Sequence, residues 1–437
     1  MMLKKITAIA MIAILAFSLV ACNTAANTDT SSSQTVTASQ SSQSSQASSS
    51  GTTAENAAKS DSSQDTVLTN ANVTSTGKID ATDLFSKRDL TQTADLSNAE
   101  TITLSDGQNV SITKEGVYVI SGSAKNVTIT VEAADDAKVQ LVLDGVSVTN
   151  TDTPVIYVKN ADKVFVTTLG DNNLSVTGSF TADGSTNTDA VIFSKDDLVL
   201  NGTGTLTISS TDNGISCKDD IKITGGTITI DCTSDAIEAN DSISIAAGTI
   251  NISSKKDGLH AEDSDDNTKG SIYICGGTFT INASDDAIHA ETVAQIDDGA
   301  FDLTAAECIE ATYVQINGGT VNISSSDDGI NAAHKSDAYE VAVEITGGYI
   351  TIKMGAGDTD GIDSNGNLYI SGGTIDVTAQ SPFDYDGQAT HTGGTLIVNG
   401  TETNEITNQM MGGGMRGGQG GMPGGNRGNM QDMPQMR

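Results

Sequence analysis

The sequence contains no tryptophan, and aromatic residues make up only 4% of its 437 positions. Basic residues are also scarce: 22 Lys and Arg face 56 Asp and Glu, for a net charge of −34. Phosphate binding needs clustered Lys and Arg to release counterions, so nucleic acid is excluded as a partner. Cations, neutral ligands or cation-bridged ligands are favoured instead, although acidity alone can serve only solubility. Helical periodicity appears nowhere, which excludes helical bundles and α/β folds. Beyond the first two dozen residues no apolar run is long enough to cross a bilayer. Four cysteines lie beyond that region, Cys217, Cys232, Cys275 and Cys308, without the spacing of a thiolate zinc site. They read as small buried side chains, with disulfides as the alternative.

The N-terminus has Lys4 and Lys5, an apolar run from Ile6 to Val20, and then Leu19-Val20-Ala21-Cys22. That tetrapeptide resembles the bacterial lipobox, which implies cleavage and lipidation at Cys22. Residues 1–22 are therefore expected to be a lipoprotein signal peptide, and the chain to sit outside the cell on a lipid tether. From residue 23 to about 66 there is hardly an aliphatic side chain to offset the entropy of folding, and a disordered Ser/Thr/Gln-rich stalk is expected over 23–84. A Gly/Met/Arg-rich tail at 409–437 is expected to be disordered for the same reason.

Between them the chain repeats. Ile192, Ile215, Ile237, Leu259, Ile288, Ile309, Ile330, Ile362 and Phe383 are equivalent anchors about 22 residues apart. Each opens a short strand, followed by a second strand, a Gly-Gly-Thr corner and a third strand rich in Ile, Val and Thr. Three alternating strands per period predict an all-β fold, a right-handed parallel β-helix over residues 85–408. A leucine-rich repeat wants fixed Leu and a helical segment, and a calcium β-roll would repeat every nine residues.

Two periods are lengthened after the anchor strand, by Asp263–Lys269 and by His334–Glu340. These insertions are expected on one side of the solenoid, three coils or roughly 14 Å apart at about 4.8 Å per coil. They would wall a groove whose floor carries His289, Glu291, Glu310 and Thr312.

The chemistry-bearing residues fall in rows. An acidic ladder precedes the anchors: Asp235, Asp257, Asp285 with Asp286, Asp327 with Asp328, and Asp360, joined by Asp363 just after an anchor. Stacked carboxylates repel, and Ca²⁺, which takes loose oxygen-rich shells, would relieve them; ordinary Asp turn chemistry is the alternative. One residue past each anchor runs an outward row that includes Glu238, His260, His289, Glu310 and Asn331, the candidates for ligand contact along with Lys335 on the second insertion.

KRDLTQT at 87–93, AKVQLVLDGVSVTNTDTPVIYVKNADKVFVT at 137–167, FSKDDLVLNGTGTLTI at 193–208 and the repeated DGI and GGTI coils carry a family likeness. From about Phe85 to Asn408 the chain resembles the bacterial carbohydrate-binding β-helix family first known from cellulose- and polygalacturonate-binding clostridial proteins. The resemblance implies bound calcium and polysaccharide binding. More distantly, DDAIH at 285–289, DDGIN at 327–331 and DGID at 360–363 are similar to the Asp-rich calcium corner of family 9 pectate lyases. His289 and Asn331 depart from that corner, and only Asp363 keeps its last Asp.

Binding of an acidic, polygalacturonate-like polysaccharide through calcium bridges ranks first. Cellulose ranks below it, because a stacking platform would depend on tyrosines such as Tyr273, Tyr313, Tyr349 and Tyr369. A calcium-dependent lyase is the alternative, with Lys335 as base and Lys255 and Lys256 behind it. A structural surface protein without a ligand is the third reading. A monomer is expected, touching the membrane only through its anchor.

Overall fold

The structure, a computed structural model, describes residues 78–409 apart from residue 358. The signal peptide, Cys22, most of the stalk and nearly all of the tail lie outside the described residues. Among the described residues there is no helix, and every strand pairing is parallel except the terminal hairpin of Thr395–Val398 with Thr401–Thr403. The chain is all-β, as its Ile, Val and Thr alternation requires.

Strands pair with their copies one period away, in three ladders. The first includes Ala190–Ser194, Asn213–Cys217, Ile237–Ala239, Leu259–Ala261, the start of Asp286–Ala305, the start of Glu307–Ile316, Ile330–Ala332, Asp360–Ser364 and Ser381–Tyr385. The nine anchors are successive Cα partners along it, each at most 1% exposed. Each such side chain contributes about 1.5–3 kcal/mol by leaving water, so the anchor column is a main source of stability. Phe279 and Phe301 stack within the third ladder, with centroids 4.5 Å apart. All four described cysteines are buried free thiols.

The Gly-Gly corner needs both glycines, for different reasons. Gly319 has φ +82°, while a Cβ on Gly318 would lie 2.2 Å from the carbonyl oxygen of Asp297 one rung earlier. Left-handed backbone and close rung-to-rung approach are thus supplied by successive residues.

An element without a repeat crosses the second ladder. Residues 78–92 form a strap: Lys78 N donates to Gln315 Oε1 at 2.9 Å, Ile79 N to Gln295 Oε1 at 2.7 Å, and Gly202 N to Gln92 Oε1 at 2.9 Å. Ala81 packs with Ala246, Tyr273 and Cys275, joined by Ile79, Leu84, Phe85 and Leu90. Residues 78–84, which composition assigns to the stalk, are therefore laid down on the sheet. Their few apolar side chains suffice because the ladder presents an apolar patch to receive them. The strap also buries Tyr273 and Tyr313, at 1% and 2% exposure, with Lys78 Nζ 4.1 Å above the Tyr313 ring. Tyr349 is exposed on the third ladder and Tyr369 sits on the second, so the four tyrosines form no common platform.

Candidate functional site

In a strand, the residue after an inward anchor points to the opposite face. Tyr157, Phe193, Ser216, Glu238, His260, His289, Glu310, Asn331, Asp363 and Asp384 follow one another without a break as Cα partners. The row thus runs from an aromatic end through acid and imidazole to an oxygen-rich end. Asp384 belongs to it although the row expected from spacing ends at Asp363; treating Phe383 as an anchor is the signal that finds it.

The aspartates before the anchors use one oxygen to hold the next rung. Asp257 N donates to Asp235 Oδ1 at 3.0 Å, Asp286 N to Asp257 Oδ1 at 2.9 Å, and Asp360 N to Asp328 Oδ1 at 3.1 Å. This is turn chemistry carried between rungs, and it satisfies buried amides. Asp285 and Asp327, first of each doublet, face solvent.

The second oxygens divide the row into two environments. On the earlier rungs they meet cations: Lys256 Nζ lies 2.9 Å from Asp235 Oδ2, His260 Nδ1 2.6 Å from Asp257 Oδ2, and His289 Nδ1 2.6 Å from Asp286 Oδ2. His289 Nδ1 is also 2.9 Å from Glu310 Oε2, which pairs with Lys335 Nζ at 3.0 Å. The two imidazoles stack with centroids 4.7 Å apart and planes 7° from parallel. Burial acts to lower both histidines, but hydrogen bonds to Asp257 and Glu262 carry His260 up to about 10, and those to Asp286 and Glu310 carry His289 up to about 9. Burial works against ionisation of Glu310 too, yet His289 and Lys335 bring it down to about 2. Burial pushes the Asp286 carboxyl up to about 7 against the His289 hydrogen bond, with the Asp257 and Glu310 charges adding to the rise.

The later rungs hold oxygen ligands without an imidazole among them. Asn331 Nδ2 donates to Glu307 Oε2 at 2.8 Å, while its buried Oδ1 accepts no hydrogen bond. Burial pushes Asp328 up to about 7, against the Asp360 amide and with the charges of Asp363, Glu307 and Asp327. Burial likewise pushes Asp363 up to about 6, with Asp384 and Asp360 adding to it.

The expected open groove takes a different shape. The two insertions meet: Ser336 Oγ donates to the carbonyl oxygen of Asn267. Beneath them Thr312 is fully buried; its Oγ1 donates to Glu291 O at 2.7 Å and accepts from Lys335 N and Ser336 N at 3.1 and 2.9 Å. The second insertion therefore satisfies its amides on the floor and its hydroxyl on the opposite wall. His289, Glu310 and Asn331 are buried at 8–9% exposure, while Glu238, His260, Glu291 and Lys335 stay partly accessible around them.

The model of a family described as carbohydrate-binding domain-containing protein matches residues 106–359 and 308–412. A carbohydrate-binding domain-containing protein of Acetivibrio thermocellus is 36% identical over 135 residues, which span 29% of this chain and 46% of that protein, less than half its length. Among solved structures, a gadolinium derivative of a polysaccharide lyase-like protein from C. thermocellum is 29% identical. That alignment covers 56% of this chain and 96% of the other, with a TM-score of 0.45.

Proposed function

The chain belongs to the carbohydrate-binding domain-containing protein family, and from that premise we propose that it is a cell-surface protein that binds an acidic, polygalacturonate-like polysaccharide through bound calcium. The observation carrying this is the oxygen-rich end of the outward row. Asp328 and, one rung on, Asp360 and Asp363 lie along it with Asn331 Oδ1, which accepts no hydrogen bond, and burial together with neighbouring carboxylates holds Asp328 and Asp363 above the usual carboxylate range. A hard cation with a flexible oxygen shell fits that donor set. Such an ion would hold the rung carboxylates and present its remaining positions to a uronate. Asp235 and Asp257 fit calcium less well, because both oxygens of each already have partners.

Burial of Tyr273 and Tyr313 favours charge recognition over stacking on cellulose. For the elimination reading, burial would lower Lys335, but the Glu310 hydrogen bond together with the charges of Glu310, Asp286 and Glu307 outweighs it and raises the amine above its ordinary value. A base must be free of its proton, so this pairing supports binding over β-elimination. The three ladders support a right-handed parallel β-helix, the hand following from crossover sterics, and the domain would extend from 85–408 back through the strap. The lipobox at Cys22 supports an extracellular, lipid-anchored position.

The test is migration of the protein in native gels containing polygalacturonate or soluble cellulose derivatives, in calcium and then in chelator. Retardation by polygalacturonate in calcium alone is expected. Retardation that survives full chelation would sink the bridging mechanism.

A further inference from the structure

The strap leaves the start of the second ladder uncovered. Outward positions of that ladder run Val117, Gln140, Phe165, Val199 and Lys222 as successive Cα partners. The strap lies over the later ones: Lys222 Nζ donates to Leu84 O at 2.6 Å, and the Arg88 guanidinium sits 4.4 Å from the centroid of the Phe165 ring. Over Val117 and Gln140 a cavity of about 890 Å³ remains between the sheet and residues 87–96. That volume is in the range of small-ligand sites. We propose that this groove binds the end of an acidic oligosaccharide, with Arg88 and Lys87 taking a uronate carboxylate directly, without calcium. The ligand class rests on the polysaccharide reading above; the contact does not rest on the metal bridge.

The charge points to an anion. Arg88 is the only arginine among the described residues, in a chain of net charge −34. Neither its side chain nor that of Lys87 has a hydrogen bond or ion pair among the described residues. The Phe165 ring takes the face of the guanidinium, which leaves the N–H fork for the planar, two-pronged contact that a carboxylate offers. The neighbouring acid, Asp89, is engaged elsewhere: its Oδ2 accepts from Ser86 N at 2.8 Å, and its Oδ1 lies 3.9 Å from Lys163 Nζ. Ser86 Oγ accepts in return from Asp89 N at 3.2 Å, so both cations stand on a turn that is fixed before a ligand arrives.

The rest of the lining suits a sugar. Gln140 is oriented by donation from Nε2 to Thr167 Oγ1 at 2.9 Å, which leaves its carbonyl oxygen as an acceptor for a hydroxyl. Thr93 and Asp95 add a hydroxyl and a carboxylate, while Val117 and Leu96, the latter 47% exposed, offer apolar surface to the C–H face of a ring. Arg88 on Phe165 closes the groove toward the strap, so it admits a chain end rather than a polymer passing through. Ends are few in long polygalacturonate, and a gel run in chelator therefore still reports on the bridging mechanism.

The experiment titrates trigalacturonate into the full chain in chelator, by calorimetry, with cellotriose as the neutral counterpart. One equivalent of trigalacturonate is expected to bind, more weakly as salt rises, and cellotriose at least tenfold more weakly. R88Q is expected to weaken trigalacturonate binding at least tenfold. L96E, at an exposed position, puts a competing carboxylate in the groove and is expected to do the same. K353Q, far along the third ladder, is expected to change nothing. Thermal melts establish that the variants fold; if R88Q does not, L96E decides. No binding in chelator, equal binding of cellotriose, or full retention in folded R88Q or L96E would overturn the groove and leave the calcium gel as the separate test of the bridge. A failed gel shift in calcium, with trigalacturonate still bound in chelator, would remove the bridge and keep the groove.

Discussion

The histidine rungs and the oxygen-only rungs share one turn grammar and answer the same problem in opposite ways. Both place an aspartate whose inner oxygen holds the next rung's amide, at Asp257 for Asp286 and at Asp328 for Asp360. The outer oxygens then carry charge that must be compensated. At 257–289 the residue past the anchor is histidine and supplies a cation; at 328–363 it is asparagine or aspartate and supplies only more oxygen. On these rungs the residue past the anchor therefore decides whether the outer oxygen meets an imidazole or only more oxygen.

The contrast predicts opposite signs for removing a carboxylate. Glu310→Ala strands His289 and Lys335 without their shared partner, and breaking such a buried pair costs about 3 kcal/mol or more, read as a lowered urea midpoint. In chelator, Asp363→Asn relieves repulsion and is expected to stabilise by about 1 kcal/mol. In calcium the same variant is expected to lose the stabilisation that metal gives the wild-type chain. Equal signs for the two substitutions in chelator would break the comparison.

The pH dependence in chelator separates the regions further. His260 and His289 titrate higher in the fold, at about 10 and about 9, than unfolded histidine does near 6.5. Their contribution is fully present below about pH 6.5 and is lost as pH rises through 9–10. Asp328 and Asp363 are also raised, to about 7 and about 6, but for an acid this means that ionisation destabilises the fold. Stability is therefore expected to fall from about pH 4 to 7 as well, with Asp286, raised to about 7, adding to the fall, and Asp363→Asn should make that limb shallower while leaving the alkaline one intact. Thermal melts across pH check both limbs. The smallest effect is expected for Glu238→Gln. Its partner Lys218, 3.5 Å away, is 36% exposed, and such pairs contribute about 0–1 kcal/mol.

Much of this was legible in the sequence because a repeat amplifies it. One misaligned anchor would have flipped a strand, yet all nine partner one another. The outward row followed from strand alternation. The strap was not legible: residues 78–92 occur once, and Ile79, Ala81 and Leu84 have meaning only beside the Tyr273 patch that receives them. The closing of the groove was hidden for a related reason. It rests on the bond from Ser336 to the Asn267 backbone across 69 residues, and periodicity does not report such contacts. Spacing placed the aspartates correctly in a ladder but could not assign their two oxygens separate partners.

The most direct test is anomalous diffraction from crystals of the chelated protein soaked with Ca²⁺, with data collected at long wavelength. The account predicts a calcium peak among Asn331, Asp328 and Asp363 and none between His260 and His289. No peak among the aspartates, or a peak between the histidines, would contradict the division of the row into two environments.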